Sequence, residues 1–233
     1  MLTSQQTSPE ISSGIFYPSS DGQPVAETYL HFYALLVTLE VLRQYLQGQQ
    51  ATVLGNQFLY YSQGMPRLRV APDVMVIFGV EPGGRDSYKI WEEGQVPSVI
   101  FEITSKGTQE QDQSFKKTLY EQLGVQEYWL FDPKGEWMSE QMRGYRLRGE
   151  AYESIADSRS EPLKLRLQVE GQLISFYRED NGQKLLIPDE LAAALREAEA
   201  RATQAEARVQ AAEAEVERLR AQLRSMGVDP DQT

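Results

Sequence analysis

From about residue 26 to 47 the apolar positions Leu30, Tyr33, Val37, Val41 and Tyr45 recur at helical spacing, no proline intervenes, and Gly48 supplies a C-terminal stop. This pattern predicts an amphipathic helix with its apolar stripe on a sheet. Two stretches rich in β-branched and aromatic residues follow, about 51–61 and 68–80, and the turn-like SQGMPR between them suits a hairpin. After the polar, glycine-rich connection EPGGRDSYKIWEEGQ the chain is apolar over residues 99–104. It turns helical at about 109–123 and is apolar again over 127–131. Strand, helix, strand in that order implies a parallel pair with a right-handed crossover, so the core is expected to be a mixed α/β sheet flanked by helices.

Beyond Gly135 the pattern shortens. MRGYRLRG, AYESIA, LKLRLQVEG and QLISFYRED are alternating runs separated by glycines and charges, which predicts two hairpins covering one edge of the core sheet. The last forty residues change again. Leu191, Leu195, Ala198, Ala202, Ala205, Val209, Ala212, Val216, Leu219, Leu223 and Met226 alternate by four and three, a heptad seam. With Leu195, Ala202, Val209, Val216 and Leu223 at a, the flanking positions pair Arg201 with Glu206, Arg208 with Glu213 and Glu215 with Arg220 across two parallel strands. Opposite signs in all three pairs favour a parallel homodimer through residues 191–226 over an antiparallel contact, and the competing reading is a single solvated helix rich in Ala, Glu and Arg. The expected organisation is a loosely held, Ser- and Pro-rich arm (1–24), a core (25–134), a β extension (135–187), a coiled coil (188–226) and a tail (227–233).

Composition narrows the chemistry. With 41% hydrophobic and 24% charged residues, the 233-residue chain is an ordinary globular mixture. It has no cysteine, which excludes disulfides and thiolate metal sites, and its single histidine, His31, excludes a three-histidine zinc centre. No signal peptide or membrane-length apolar run is visible, so a cytoplasmic protein is expected. The net charge of -11 argues against coating nucleic acid by bulk electrostatics. Basic residues nevertheless gather locally: Arg67, Arg69, Arg85, Lys89, Lys106, Lys116 and Lys117.

Those residues surround two misplaced acids. Asp73 lies in APDVMVIFGV and Glu102 in PSVIFEITS, runs that should be buried, where a charge is costly unless compensated. A divalent cation would compensate both. Magnesium, with manganese as a substitute, keeps several waters and needs only a few oxygen ligands, here Asp73, Glu102 and a backbone carbonyl such as that of Ile103. A lysine on the next helix, Lys116, can then reach over the sheet end. Acid, acid and lysine in this order suit metal-dependent phosphodiester hydrolysis.

PDVMVIF, FEITSKGT, DQSFKKTLYEQLGV and EYWLFDP resemble the Uma-two family of restriction-endonuclease-like proteins, abundant in cyanobacteria and part of the PD-(D/E)XK nuclease superfamily. The resemblance covers about residues 26–133 and is most specific over 112–132. The cyanobacterial branch carries a similar YPSSDGQP start and a similar C-terminal coil. The resemblance implies a restriction-endonuclease-like core in which Asp73 and Glu102 are the first and second acids. The motif's lysine position, two residues after the second acid, is Thr104 here, and the resemblance implies that the lysine has moved to Lys116, with Lys106 and Lys117 as alternatives.

Blander roles compete with these. Asp73 could be held by backbone amides after Pro72, Glu102 by an ion pair with Arg69 or Lys116, and Lys116 could be a solvated helix charge. Asp132 before Pro133 reads as a turn former, His31 as a packing residue or single hydrogen-bond donor, and Tyr128 and Trp129 as core. The function expected is magnesium-dependent endonucleolytic hydrolysis of DNA, with Asp73, Glu102 and Lys116 catalytic. The alternative is an inactive nuclease-fold scaffold working through its coil.

Overall fold

The computed structural model describes residues 15–22 and 28–227. Most of the expected N-terminal arm, the first residues of the first predicted helix and most of the expected tail lie outside them. Helix α1 (Tyr29–Tyr45) begins where Thr28, in extended backbone, accepts the His31 N–H at 3.4 Å, an N-cap. Its buried face is rotated from the predicted stripe. His31, Ala34, Leu35, Val37, Thr38, Val41 and Leu42 are buried, whereas Leu30, Tyr33 and Tyr45 are only half-buried. Ala34, Leu35, Thr38 and Leu42 join Val37 and Val41 on the buried face, and the tyrosines Tyr33 and Tyr45 go to its flanks.

The strands are β1 (Ala51–Gly55), β2 (Leu59–Tyr60), β3 (Arg69–Val70), β4 (Val74–Phe78), β5 (Tyr88–Lys89), β6 (Val99–Ile103), β7 (Glu127–Phe131), β8 (Met142–Arg148), β9 (Ala151–Ile155), β10 (Arg159–Ser160), β11 (Leu165–Glu170) and β12 (Leu173–Arg178). The main sheet has the order β1-β4-β6-β7-β8-β9, with β6 and β7 parallel and every other pair antiparallel. The crossover between β6 and β7 is the helix over residues 109–123, as the strand–helix–strand pattern predicts. The mixed α/β fold expected from the sequence is therefore the fold observed.

Two details differ from the hydrophobic pattern. The SQGMPR hairpin forms, but it is interrupted: β1 pairs with β4 in the main sheet, while β2 and β3 pair in a small sheet completed by β5. Strand β5 comes from the polar connection read as loop, since a two-residue strand is set by its partner rather than by its own pattern. Beyond residue 135, the first hairpin, β8–β9, extends the main sheet, and β10-β11-β12 form a sheet of their own.

Alternation along β6 separates two buried faces. Ile100 joins Met75, Ile77, Tyr120, Tyr128 and Leu130 in one cluster. On the opposite side Phe101 stacks on Trp129 and meets Phe176 edge-on, with ring centroids 6.5 and 5.9 Å apart. Gly144, directly across from Trp129, makes room for the indole: a Cβ there would come within 2.5 Å of the ring.

The chain divides into two compact units, one ending at Leu185 and one starting at Leu186. The second contains a 38-residue helix, Pro188–Ser225, with Pro188 in its first turn and the Ile187 N–H bonded to the Glu190 carboxylate at 3.1 Å. None of its described residues is buried, and the seam residues Leu195 and Val209 are 58% and 56% exposed.

Candidate active site

Strand register brings the two acids together. Val74 pairs with Phe101 and Met75 with Ile100, so the antiparallel register of β4 and β6, continued by one residue, sets Asp73 opposite Glu102 on the same face. The backbone confirms the approach: the Ile103 N–H donates to Asp73 Oδ2 at 2.6 Å. Asp73 retains 15% side-chain exposure, and Glu102 is only 1% exposed.

The crossover helix supplies the cation. Its residues Asp112–Lys116 form a π-helical turn between α-helical stretches Gln109–Gln111 and Lys117–Leu123. Such turns widen the helix by one residue and are frequent at functional sites. Here the turn buries Asp112 and Lys116 together. The Lys116 ammonium lies 2.9 Å from Glu102 Oε2 and 2.9 Å from Asp112 Oδ1. One turn on, Tyr120 donates its hydroxyl to Glu102 Oε1 at 2.7 Å. Asp112 is fixed in turn: its Oδ2 accepts from the Thr104 hydroxyl at 3.1 Å, and its carbonyl accepts from the Tyr128 hydroxyl at 2.9 Å.

Two acids thus share one ammonium, and a third, Asp73, lies across from Glu102. Burial, reinforced by Asp73 and Asp112 and opposed by Lys116, pushes the Glu102 carboxyl up to about 8. Burial also works against the charge on Lys116, but Glu102 and Asp112 outweigh it and hold the ammonium above the ordinary lysine range. Both directions agree on a protonated lysine, and the glutamate carries the mismatch. Burial and then the adjacent Glu102 raise the Tyr120 hydroxyl well above its ordinary value, which keeps it a donor.

Of the three candidate lysines, the fold brings Lys116 to the acids. Lys117 sits 4.2 Å over the Tyr145 ring, and Lys106 lines a cleft beside the site. Lys116 is not a solvated helix charge, and Arg69, which stacks 4.2 Å over Phe58, is not the partner of Glu102. His31 does more than pack on its helix, because its Nε2 is 3.6 Å from Asp73 Oδ1. Asp132 is a turn former, as read: it accepts four backbone N–H groups, from Lys134, Gly135, Trp137 and Met138. Asp112 and Tyr120 were missed as site residues. Their spacing of four on either side of Lys116 was the available signal, since it stacks all three on one helix face.

A family model described as "Putative restriction endonuclease", Uma2, matches residues 7–172. The chain belongs to the Uma2 family. Among solved structures it is similar to one titled a putative nuclease belonging to DUF820 from Anabaena variabilis, at 16% identity and a TM-score of 0.42, over 61% of this chain and 77% of that one. No protein of curated function matches. In this Uma2 chain the position two residues after Glu102 is held by Thr104, whose hydroxyl anchors the helix that delivers Lys116. No helix among the described residues is long and apolar enough to cross a membrane.

Proposed function

We propose that this Uma2 protein is a magnesium-dependent endonuclease that hydrolyses DNA phosphodiester bonds at the Asp73–Glu102–Lys116 cluster. The observation that carries this reading is the crowding of carboxyl groups: Glu102 and Asp112 share the Lys116 ammonium, Asp73 lies opposite Glu102, and Asp112 Oδ1 accepts no well-aligned hydrogen bond. The donors are all oxygens, which suits a hard cation. Asp73, Glu102 and the Ile103 carbonyl would hold it. No group of three or more Asp, Glu or His among the described residues is arranged as a metal cage.

Bound magnesium supplies an activated water and screens the scissile oxygens. The chain supplies position and charge. Lys116 stabilises the negative charge developing on phosphate, Asp112 and Thr104 hold the lysine in reach, and Tyr120 fixes the rotamer of Glu102. Manganese serves as a substitute ion.

The C-terminal helix belongs to the same proposal. Its seam is exposed along its length, and the flanking charges complement a second copy in parallel register, so it joins two chains and hence two nuclease units. Light scattering should give a dimer that Val209→Glu with Val216→Glu converts to monomer.

The deciding experiment titrates magnesium and manganese into wild type, Asp73→Asn and Glu102→Gln, following melting temperature and then cleavage of supercoiled DNA. A ligand bound only by the folded state raises the melting temperature by mass action. Stabilisation and cleavage in wild type, both absent from the two variants, are expected. No metal effect and no cleavage in wild type would favour the second reading, a scaffold working through its coil. The observation behind that reading is that both Glu102 oxygens already accept hydrogen bonds from Lys116 and Tyr120.

A further inference from the structure

Beside the acid cluster lies a cleft of about 510 Å³, formed by the loops that follow β6 and β7 and by the first turn of α1. Ligands of open α/β sheets settle outside the carboxyl ends of parallel strands, and this cleft occupies that place for the one parallel pair of the main sheet. Two of its lining residues connect it to the site: His31, which approaches Asp73, and Thr104, which bonds Asp112. The volume suits a small-molecule-sized group rather than a duplex.

The rest of the lining is built for an anion carrying a ring. Lys106 on the first loop and Lys134 on the second are exposed, and among the described residues neither forms an ion pair. In a chain with 34 acidic and 23 basic residues, a carboxylate partner for each would be easy to find. Trp137 is half-buried in the same wall. The second loop is rigid: the fully buried Asp132 carboxylate gathers the amides of Lys134, Gly135, Trp137 and Met138 at 2.6–3.1 Å, so Lys134 and Trp137 are presented by a fixed turn. The first loop is closed by the Ser105 N–H on the Thr108 hydroxyl at 3.1 Å.

We infer that this cleft receives one unpaired nucleotide of the DNA strand next to the bond to be cut, with its base against Trp137 and its flanking phosphates on Lys106 and Lys134. The inference rests on the nuclease reading and refines its substrate to DNA that is single-stranded or locally opened at the site. Aromatic stacking tolerates any base, and lysines on phosphate carry no sequence information, so the cleft binds strands without sequence preference.

The test is fluorescence anisotropy with a short labelled single-stranded oligodeoxynucleotide and its duplex, in EDTA so that no cleavage occurs, on the full chain. Wild type is expected to prefer the single strand. Trp137→Ala should weaken single-strand binding about ten-fold, and Trp137→Phe should restore most of it. Lys106→Ala with Lys134→Ala should lower the slope of log affinity against log salt by about 1.4, the value for two phosphates of a single strand. A melting temperature within error of wild type identifies the variants that report on binding. If wild type binds and cuts DNA but these variants bind and cut as it does, the cleft proposal is overturned while the nuclease reading stands. Preference for duplex overturns it too. If wild type binds neither form and shows no metal effect, both fail together.

Discussion

Two buried glutamates stand on adjacent parallel strands, Glu102 near the end of β6 and Glu127 at the start of β7, and they differ in how their charge is met. Glu127 is fully buried, yet each of its oxygens is matched. Oε1 accepts from Arg146 Nε at 2.8 Å and from the Glu161 N–H at 3.0 Å, and Oε2 accepts from the Trp129 indole at 3.1 Å. Glu102 shares its one cation with Asp112, lies opposite Asp73, and is pushed up to about 8. The first is a finished structural ion pair. The second is an arrangement that stays electrostatically unsettled in the folded protein, and perturbed carboxylates of that kind mark functional sites more often than stabilising ones.

The largest contrast should appear on mutation. Glu102→Gln and Asp73→Asn keep the shape of the side chain and remove its charge, so each should lower the proposed magnesium-dependent cleavage at least about a thousand-fold while the melting temperature stays near or above wild type. Glu127→Ala should do the reverse. It takes from the Arg146 guanidinium, only 13% exposed, its buried carboxylate, leaving the more exposed Glu161 as its partner, and removes the acceptor of the Trp129 indole and the Glu161 amide, so it should cost about 3 kcal/mol in denaturant unfolding, with cleavage per folded molecule retained. Equal losses of activity in Glu102→Gln and Glu127→Ala would erase the distinction.

The same contrast shows what the sequence could reveal. A carboxylate inside a run such as VIFEI is visible by its cost, and so is the Asp73 that precedes VMVIF. The strand–helix–strand order gave the parallel pair, and resemblance singled out Lys116. The chemistry that completes the cluster is long-range or local to a helix defect. His31 meets Asp73 only because α1 packs near the start of β4, and no periodicity records that contact. The π-helical turn at Asp112–Lys116 arises from one widened turn, which residue patterns do not announce. The rotated face of α1 has a related cause, because the apolar part of a tyrosine marks a stripe in the sequence, whereas in the fold Tyr33 and Tyr45 stay half-buried at the edge of the contact.

A smaller effect sharpens the structural side. Gly144 faces Trp129, whose indole also braces Glu127, and a methyl group there would press within 2.5 Å of a ring that is 1% exposed. Gly144→Ala should therefore cost about 2 kcal/mol of stability, as overpacking does. Its cleavage by the folded fraction should be unchanged, and a loss of metal-induced stabilisation in this variant would mean that the two ends of the sheet are coupled.

The smallest effect per step is a dependence on pH. Facing Glu102 are Lys116, Asp112 and Tyr120 from the crossover helix, Asp73 from the start of β4 and Tyr128 from β7. A carboxyl raised from 4.5 to about 8 holds a proton in the folded chain that the unfolded chain releases. Its contribution to stability is present below pH 4.5 and is lost as pH rises toward 8. Across that window the unfolding free energy of wild type, measured without divalent ions, should fall relative to Glu102→Gln by no more than about 1.4 kcal/mol per pH unit. Parallel curves for wild type and Glu102→Gln would show that Lys116 alone satisfies the glutamate, and the electrostatic mismatch on which the proposed metal site rests would be gone.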